Sequence, residues 1–137
     1  MVKSVRRRGA LLVAGVVLAG AVLWSGIDRV LIRVYSGGGF AGTYDLVVIW
    51  ASGRALIGDR EVIWSRLTPG QLRRLRAALG AADFPHSPHH RGGVNFGHRI
   101  DYGRWSVIVN SSDVEGAPWL ADVLEVPLEV NAAHRVR

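Results

Sequence analysis

The sequence predicts an α+β domain: a mostly antiparallel sheet with one main amphipathic helix and a short closing helix, behind one N-terminal transmembrane or signal helix. Three observations predict it. A basic start is followed by an uncharged run from Gly9 to Ile27. Apolar stretches of strand length then occur in pairs, without the regular strand–helix alternation of a parallel sheet. A strong helix-start signal stands at Thr68, Pro69 and Gln71.

The leader comes first. Lys3, Arg6, Arg7 and Arg8 precede nineteen uncharged residues, Gly9 to Ile27, and Asp28 ends the run. As a helix the run would span roughly 28 Å, close to the hydrocarbon thickness of a bilayer. A soluble core helix of that length would carry polar residues at helical spacing, and this one carries none. With the basic cluster on the N-terminal side, the positive-inside rule keeps the start of the chain in the cytoplasm and sends the remainder across. Two fates fit. Ala19-Gly20-Ala21 matches a small-residue cleavage site, which would make the domain secreted. Trp24 suits the aromatic belt at the far interface of a retained anchor. The expected division is residues 1–28 as anchor or signal segment, 29–126 as the extracytoplasmic domain and 127–137 as a tail.

Val30 to Tyr35 is rich in β-formers and reads as a strand. Tyr44 to Trp50 is a second, stopped by Ser52-Gly53, and Glu61 to Trp64 reads as a third after Gly58-Asp59. Thr68 as N-cap, Pro69 in the first turn and Gln71 three residues after Thr68 form a capping-box signature. Leu72, Leu75 and Leu79 then recur on one helical face, with Arg73, Arg74 and Arg76 read as a solvated surface. Gly80, Asp83 and Pro85 mark its end. His86 to Gly93 reads as a loop. Phe96–Tyr102 and Trp105–Asn110 read as strands joined by a tight turn at Gly103-Arg104. Ser111, Ser112 and Asp113 are expected in a loop. Pro118 opens a short helix bearing Trp119, Leu120, Val123 and Leu124, and the tail from Pro127 is expected to be loosely ordered.

The formal charge of +6 resembles a nucleic-acid signature until it is divided by region. Residues 1–28 hold four basic and one acidic side chain. Residues 29–137 hold thirteen against ten, a net of +3. The basicity is mostly membrane topology, and no nucleic-acid partner is expected. The chain has no cysteine, so the exported part relies on its apolar core, without disulfides or a lipidated Cys. Sixteen arginines against one lysine, with abundant Ala, Gly and Val, fit a GC-rich bacterial genome.

Candidate chemistry is sparse. Gly37-Gly38-Gly39-Phe40-Ala41-Gly42 satisfies G-x-G-x-x-G after a strand, but a strand follows it in place of the helix whose N-terminus would hold a pyrophosphate. No cofactor is expected. His86, His89, His90 and His98 lack the spacing of a structural zinc site and the HExxH motif, so no metal site is expected. Asp59 and Glu61 read as turn residues rather than an acid/base pair. Ser111, Ser112 and Asp113 show no nucleophile-elbow pattern. No catalytic residue is assigned, and the chain is not expected to be an enzyme.

A strand entering Ser36-Gly37-Gly38-Gly39-Phe40-Ala41-Gly42, followed by Leu67-Thr68-Pro69-Gly70-Gln71-Leu72, the closing Ala82-Asp83-Phe84, paired strands and a short helix, resembles the emfourin family over residues 29–126. Members of that family are small protein inhibitors of thermolysin-like metalloproteases. The resemblance implies an extracytoplasmic inhibitor that blocks a metalloprotease cleft by loop insertion, with Gly37, Gly38, Gly39, Phe40, Ala41 and Gly42 contacting the partner. Glycines permit close backbone approach, and Phe40 is the one bulky apolar group in the loop. Either Phe40 projects into a hydrophobic pocket of the protease, or it points inward and the glycines only turn the chain. The competing expectation is a membrane-tethered cell-envelope module, held by residues 9–27, that binds a neighbouring envelope protein through its sheet without inhibitory activity.

Overall fold

The computed structural model describes residues 27–37, 44–58, 61–88 and 97–135. Six strands form one sheet: β1 Val30–Gly37, β2 Tyr44–Trp50, β3 Arg54–Gly58, β4 Val62–Arg66, β5 Gly97–Tyr102 and β6 Trp105–Asn110. Three helices accompany them: α1 Pro69–Ala81, α2 Ser111–Gly116 and α3 Pro118–Arg135. A 3-10 turn at Phe84–His86 leads out of the α1 region.

The strand order is β4-β3-β2-β1-β5-β6, and every neighbouring pair is antiparallel. The first four strands wind outward as a meander. After α1 the chain returns to the free side of β1, so the first strand becomes one of the two central ones.

Register assigns each side chain to a face, because successive residues of a strand point to opposite sides. Ile32 and Val34 of β1 lie beside Ile49 and Val47 of β2, Ala55 and Ile57 of β3, Ile100 of β5 and Val107 of β6. All are buried and belong to one cluster with Leu75 and Leu79 of α1 and Leu120, Val123, Leu124, Val126 and Val130 of α3. Each such aliphatic side chain taken from water contributes about 1.5–3 kcal/mol before the entropy of ordering is charged against it. The described helices all serve this face, which gives a two-layer domain.

Thr68 caps α1 as its pattern predicts. Its hydroxyl accepts from the Gln71 N–H at 3.2 Å, and the Gln71 carboxamide oxygen accepts from the Thr68 N–H at 2.9 Å. The turn between β5 and β6 also follows expectation, with Gly103 at φ +56.

Three expectations are corrected, and a fourth, the exposed α1 arginines, is borne out and extended. A strand absent from the reading, β3, occupies Arg54–Gly58, so the segment read as a third strand is the fourth. Ser111, Ser112 and Asp113 begin a short helix instead of a loop. Asn110 caps it, and the Asp113 carboxylate accepts from the Asn110 N–H at 2.7 Å. The closing helix is not short: α3 is the longest helix among the described residues and continues past residue 126 to Arg135, through the stretch read as a loose tail. Pro127 lacks an amide hydrogen and crowds the preceding turn, which is why it reads as a stop. Here it is buried along with Val126 and Val130, and that apolar face offsets its cost. Finally, the α1 arginines are not merely solvated. Arg74 spans Glu125 at 2.9 Å and Glu129 at 2.8 Å on α3, and Arg76 donates to the Ala51 carbonyl at 2.6 Å.

Among the described residues no helix is long and apolar enough to cross a membrane. The leader up to residue 26 lies outside them.

Candidate functional site

β1 runs between two ends of the sheet with different chemistry. The end at Val30 is nearest the leader, and the β2–β3 and β5–β6 turns lie there. The end at Gly37 is distal. Gly37 pairs with Tyr44 on one side and with Gly97 on the other. The chain therefore leaves the sheet for residues 38–43, and re-enters it from residues 89–96, at the same end. Of the six residues expected to contact a partner, Gly37 is the last residue of β1. Gly38, Gly39, Phe40, Ala41 and Gly42 lie outside the described residues, as do Asp59, His89 and His90.

The distal end carries a polar row on the helix-covered face, where Ser36 of β1 sits opposite Asp45 of β2 and His98 of β5. The Ser36 hydroxyl and His98 Nδ1 are 2.8 Å apart. Asp45 is buried, accepts from Asn131 Nδ2 of α3 at 3.2 Å and forms an ion pair with Arg135. Burial pushes the His98 imidazole below its ordinary pKa, since desolvation disfavours the cation. At neutral pH it is a neutral ring that trades one hydrogen bond with Ser36.

A serine, a histidine and an aspartate in one row invite comparison with a nucleophilic triad. The order is wrong for it. A triad places the imidazole between hydroxyl and carboxylate, so that the carboxylate orients the ring. Here the serine strand lies between the other two, and Asp45 is engaged by α3. The row instead joins α3 to three strands, and no buried side-chain nitrogen or oxygen among the described residues lacks a partner. The sequence reading missed this row because its members are dispersed along the chain and meet only through register.

The remaining candidates are scattered. His86 Nδ1 lies 2.9 Å from the Asp83 carboxylate on the surface, far in the fold from the Ser36–His98 pair. His134 Nε2 reaches the Ser65 hydroxyl at 3.1 Å. Among the described residues no group of three His, Cys, Asp or Glu side chains is placed to hold a metal ion. Glu61 is exposed beside the edge strand β4.

The leader-proximal end is aromatic and cationic, on the face of the sheet opposite the helices. Trp50 and Trp64 have ring centroids 5.6 Å apart, and the Arg54 guanidinium sits 5.4 Å from the first and 5.1 Å from the second. Further along the same face Arg99 lies 5.5 Å over Tyr35. Register puts Arg33, Arg54, Arg66 and Arg99 on this face with Asp101 as its one acidic residue, a net of +3 from four arginines less one aspartate. Large apolar side chains stand out among them: Trp64 is 57% exposed, Val62 64% and Ile108 53%. At the leader junction, Asp28 is tied to the β2–β3 turn. It accepts from the Ser52 hydroxyl at 2.6 Å and the Ser52 N–H at 3.0 Å, which holds its carboxyl below the usual range, with Arg54 and Arg66 adding to the effect.

Comparison with family models, with characterised proteins and with solved structures finds no match to this chain.

Proposed function

We propose that the chain is a membrane-tethered, extracytoplasmic protein-binding domain whose working end is the distal one. One observation supports this reading best: Gly37 pairs with both Tyr44 and Gly97. The bases of segments 38–43 and 89–96 are therefore fixed side by side on central strands, at the end of the sheet opposite the leader. A loop held at a rigid base loses less freedom on binding, so more of its contact energy is expressed as affinity.

The sharper form of the proposal is inhibition of a metalloprotease, as the emfourin resemblance implies, with Phe40 in a pocket of the protease and the flanking glycines against its cleft. The test is a titration of the full chain in detergent against a thermolysin-like metalloprotease, following hydrolysis of a small peptide. Stoichiometric loss of activity with the chain uncut would support inhibition. Unchanged hydrolysis, or digestion of the chain, would remove that protease as the partner. Inhibition that survives Phe40→Ala would move the contact elsewhere on the loop. The broader reading is tested by a photo-crosslinking residue at position 41, with one at Glu115 on the helix layer as control. Capture of envelope protein at both positions alike, or at neither, would count against a distal working end.

A second reading, binding of an envelope protein through the sheet, is favoured by the exposed Trp50–Arg54–Trp64 stack.

A further inference from the structure

The proximal end of the sheet has its own surface, and its place along the chain limits what can reach it. The uncharged run ends at Ile27 and β1 begins at Val30. Three residues span at most about 10 Å when fully extended. If residues 9–27 cross a bilayer, as the proposed function assumes, this end of the sheet is confined to the headgroup region.

We infer that the leader-proximal rim of the open sheet face, formed by Trp50, Arg54, Trp64 and Arg66, docks on the headgroup layer of an anionic phospholipid bilayer. This inference rests on the anchor reading of residues 9–27.

The composition fits that medium. An indole has an apolar body and a single N–H donor, which suits a layer that is oily on one side and wet on the other. A guanidinium presents a planar fork of donors that matches phosphate oxygens. Here the two types are built together: Arg54 is shared between two indoles. Stacking keeps the Arg54 cation at the level of the rings.

Charge also distinguishes the two layers. The open face nets +3, whereas the helices carry Asp113, Glu115, Asp122, Glu125 and Glu129 against Arg73, Arg74, Arg76 and Arg135, a net of −1 from four arginines less five acids. An anionic bilayer would attract the first and not the second, turning the helices outward. The acid closest to the bilayer, Asp28, is held by Ser52 and remains charged, so it offsets one of the positive charges at this end.

A bulky protein partner is the poorer occupant. Register puts Arg54 and Arg66 in the last pair at this end, with Trp64 two residues further in, so the patch lies within about 7 Å of the sheet end. A globular partner would have to enter the narrow gap between that rim and the lipid.

The test uses the full chain, which has no cysteine and so accepts single labels cleanly. Ser106, exposed on the open face beside Trp105, and Ser112, exposed at the far end of β6, are replaced one at a time by Cys and carry a fluorophore. The labelled chain is reconstituted into vesicles of phosphatidylcholine alone or with phosphatidylglycerol added. Quenching by neutral acrylamide is read after an alkaline wash. The expected result is that quenching at Ser106 falls about threefold when the anionic lipid is present, while quenching at Ser112 does not change. Arg54→Ala with Trp64→Ala should restore the Ser106 value. Equal quenching in both lipids, on chain that withstands the wash, overturns the docking and leaves the anchor standing. Chain stripped by the wash overturns the anchor, and the docking with it. Protection in both lipids that grows with protein density assigns the face to a second copy of the chain and also overturns the docking.

Discussion

The two ends of the sheet are built from the same strands and stabilised in opposite ways. At the distal end Ser36, Asp45 and His98 turn their polar groups inward, against α3, and meet partners there. At the proximal end Trp50, Arg54 and Trp64 turn large apolar surfaces outward and stack on each other. Buried polar groups are costly when a partner is lost, whereas exposed aromatic–cation stacks contribute about 0.5–1 kcal/mol each. The distal end is thus where a substitution should damage the fold. At the proximal end a substitution should leave the fold largely intact and affect what the surface does.

Substitutions that leave the comparison intact should rank accordingly. The largest effect is expected of Gly97→Ala. A Cβ at that position would stand 2.8 Å from the Val109 carbonyl oxygen and 3.1 Å from the Asn110 side chain, so β5 and β6 would have to part. A loss of about 2–3 kcal/mol in a urea titration is expected. Asp45→Ala should follow at about 2 kcal/mol, because Asn131 and Arg135 lose their shared acceptor. Thr68→Ala, which removes the N-cap from a helix serving the whole core, should cost about 1 kcal/mol and gives a reference lying between the two ends. Trp64→Ala is expected to change stability by less than about 1 kcal/mol, given its exposure. A drop of several kcal/mol at Trp64 would mean that the open face is part of the core, and the contrast would fail.

Acid sharpens the same contrast. Burial lowers the folded-state pKa of His98 below its ordinary value of 6.5, so between those two values the unfolded chain binds a proton that the folded chain does not. The associated stability is complete above 6.5 and is lost as pH falls from there through the folded-state pKa, below which it changes no further. His98→Gln should flatten that part of the stability profile relative to the parent chain. An unchanged slope would remove His98 as its source.

Much of the fold was legible because the signals were local. The capping box at Thr68 and Gln71, the hairpin at Gly103 and the paired β-rich runs each declare themselves within a few residues. What stayed hidden depended on distant partners. β3 has only five residues, directly after a turn, and it forms a strand because β2 and β4 flank it. The end of α3 reads as a tail because Pro127 is a local stop signal. Yet Asn131 and Arg135 meet Asp45, which lies 86 residues before Asn131. The two surfaces followed the same rule. The glycine segment announced itself as a motif, whereas Trp50, Arg54 and Trp64 became a site only when strand register stacked them.

The position of β1 also has a mechanical side. It is the strand next to the leader, it ends at the base of segment 38–43, and it is hydrogen-bonded on both sides, to β2 and to β5. A pull between a membrane anchor and a partner held at the distal end would act along this one strand. Ladder hydrogen bonds run perpendicular to the strands. Such a load would therefore strain two ladders in shear, all their bonds at once, whereas an edge strand pulled sideways would release its bonds one after another. The connectivity that brings the chain back to pair β5 with β1 gives the first strand a ladder on each side to resist such a load.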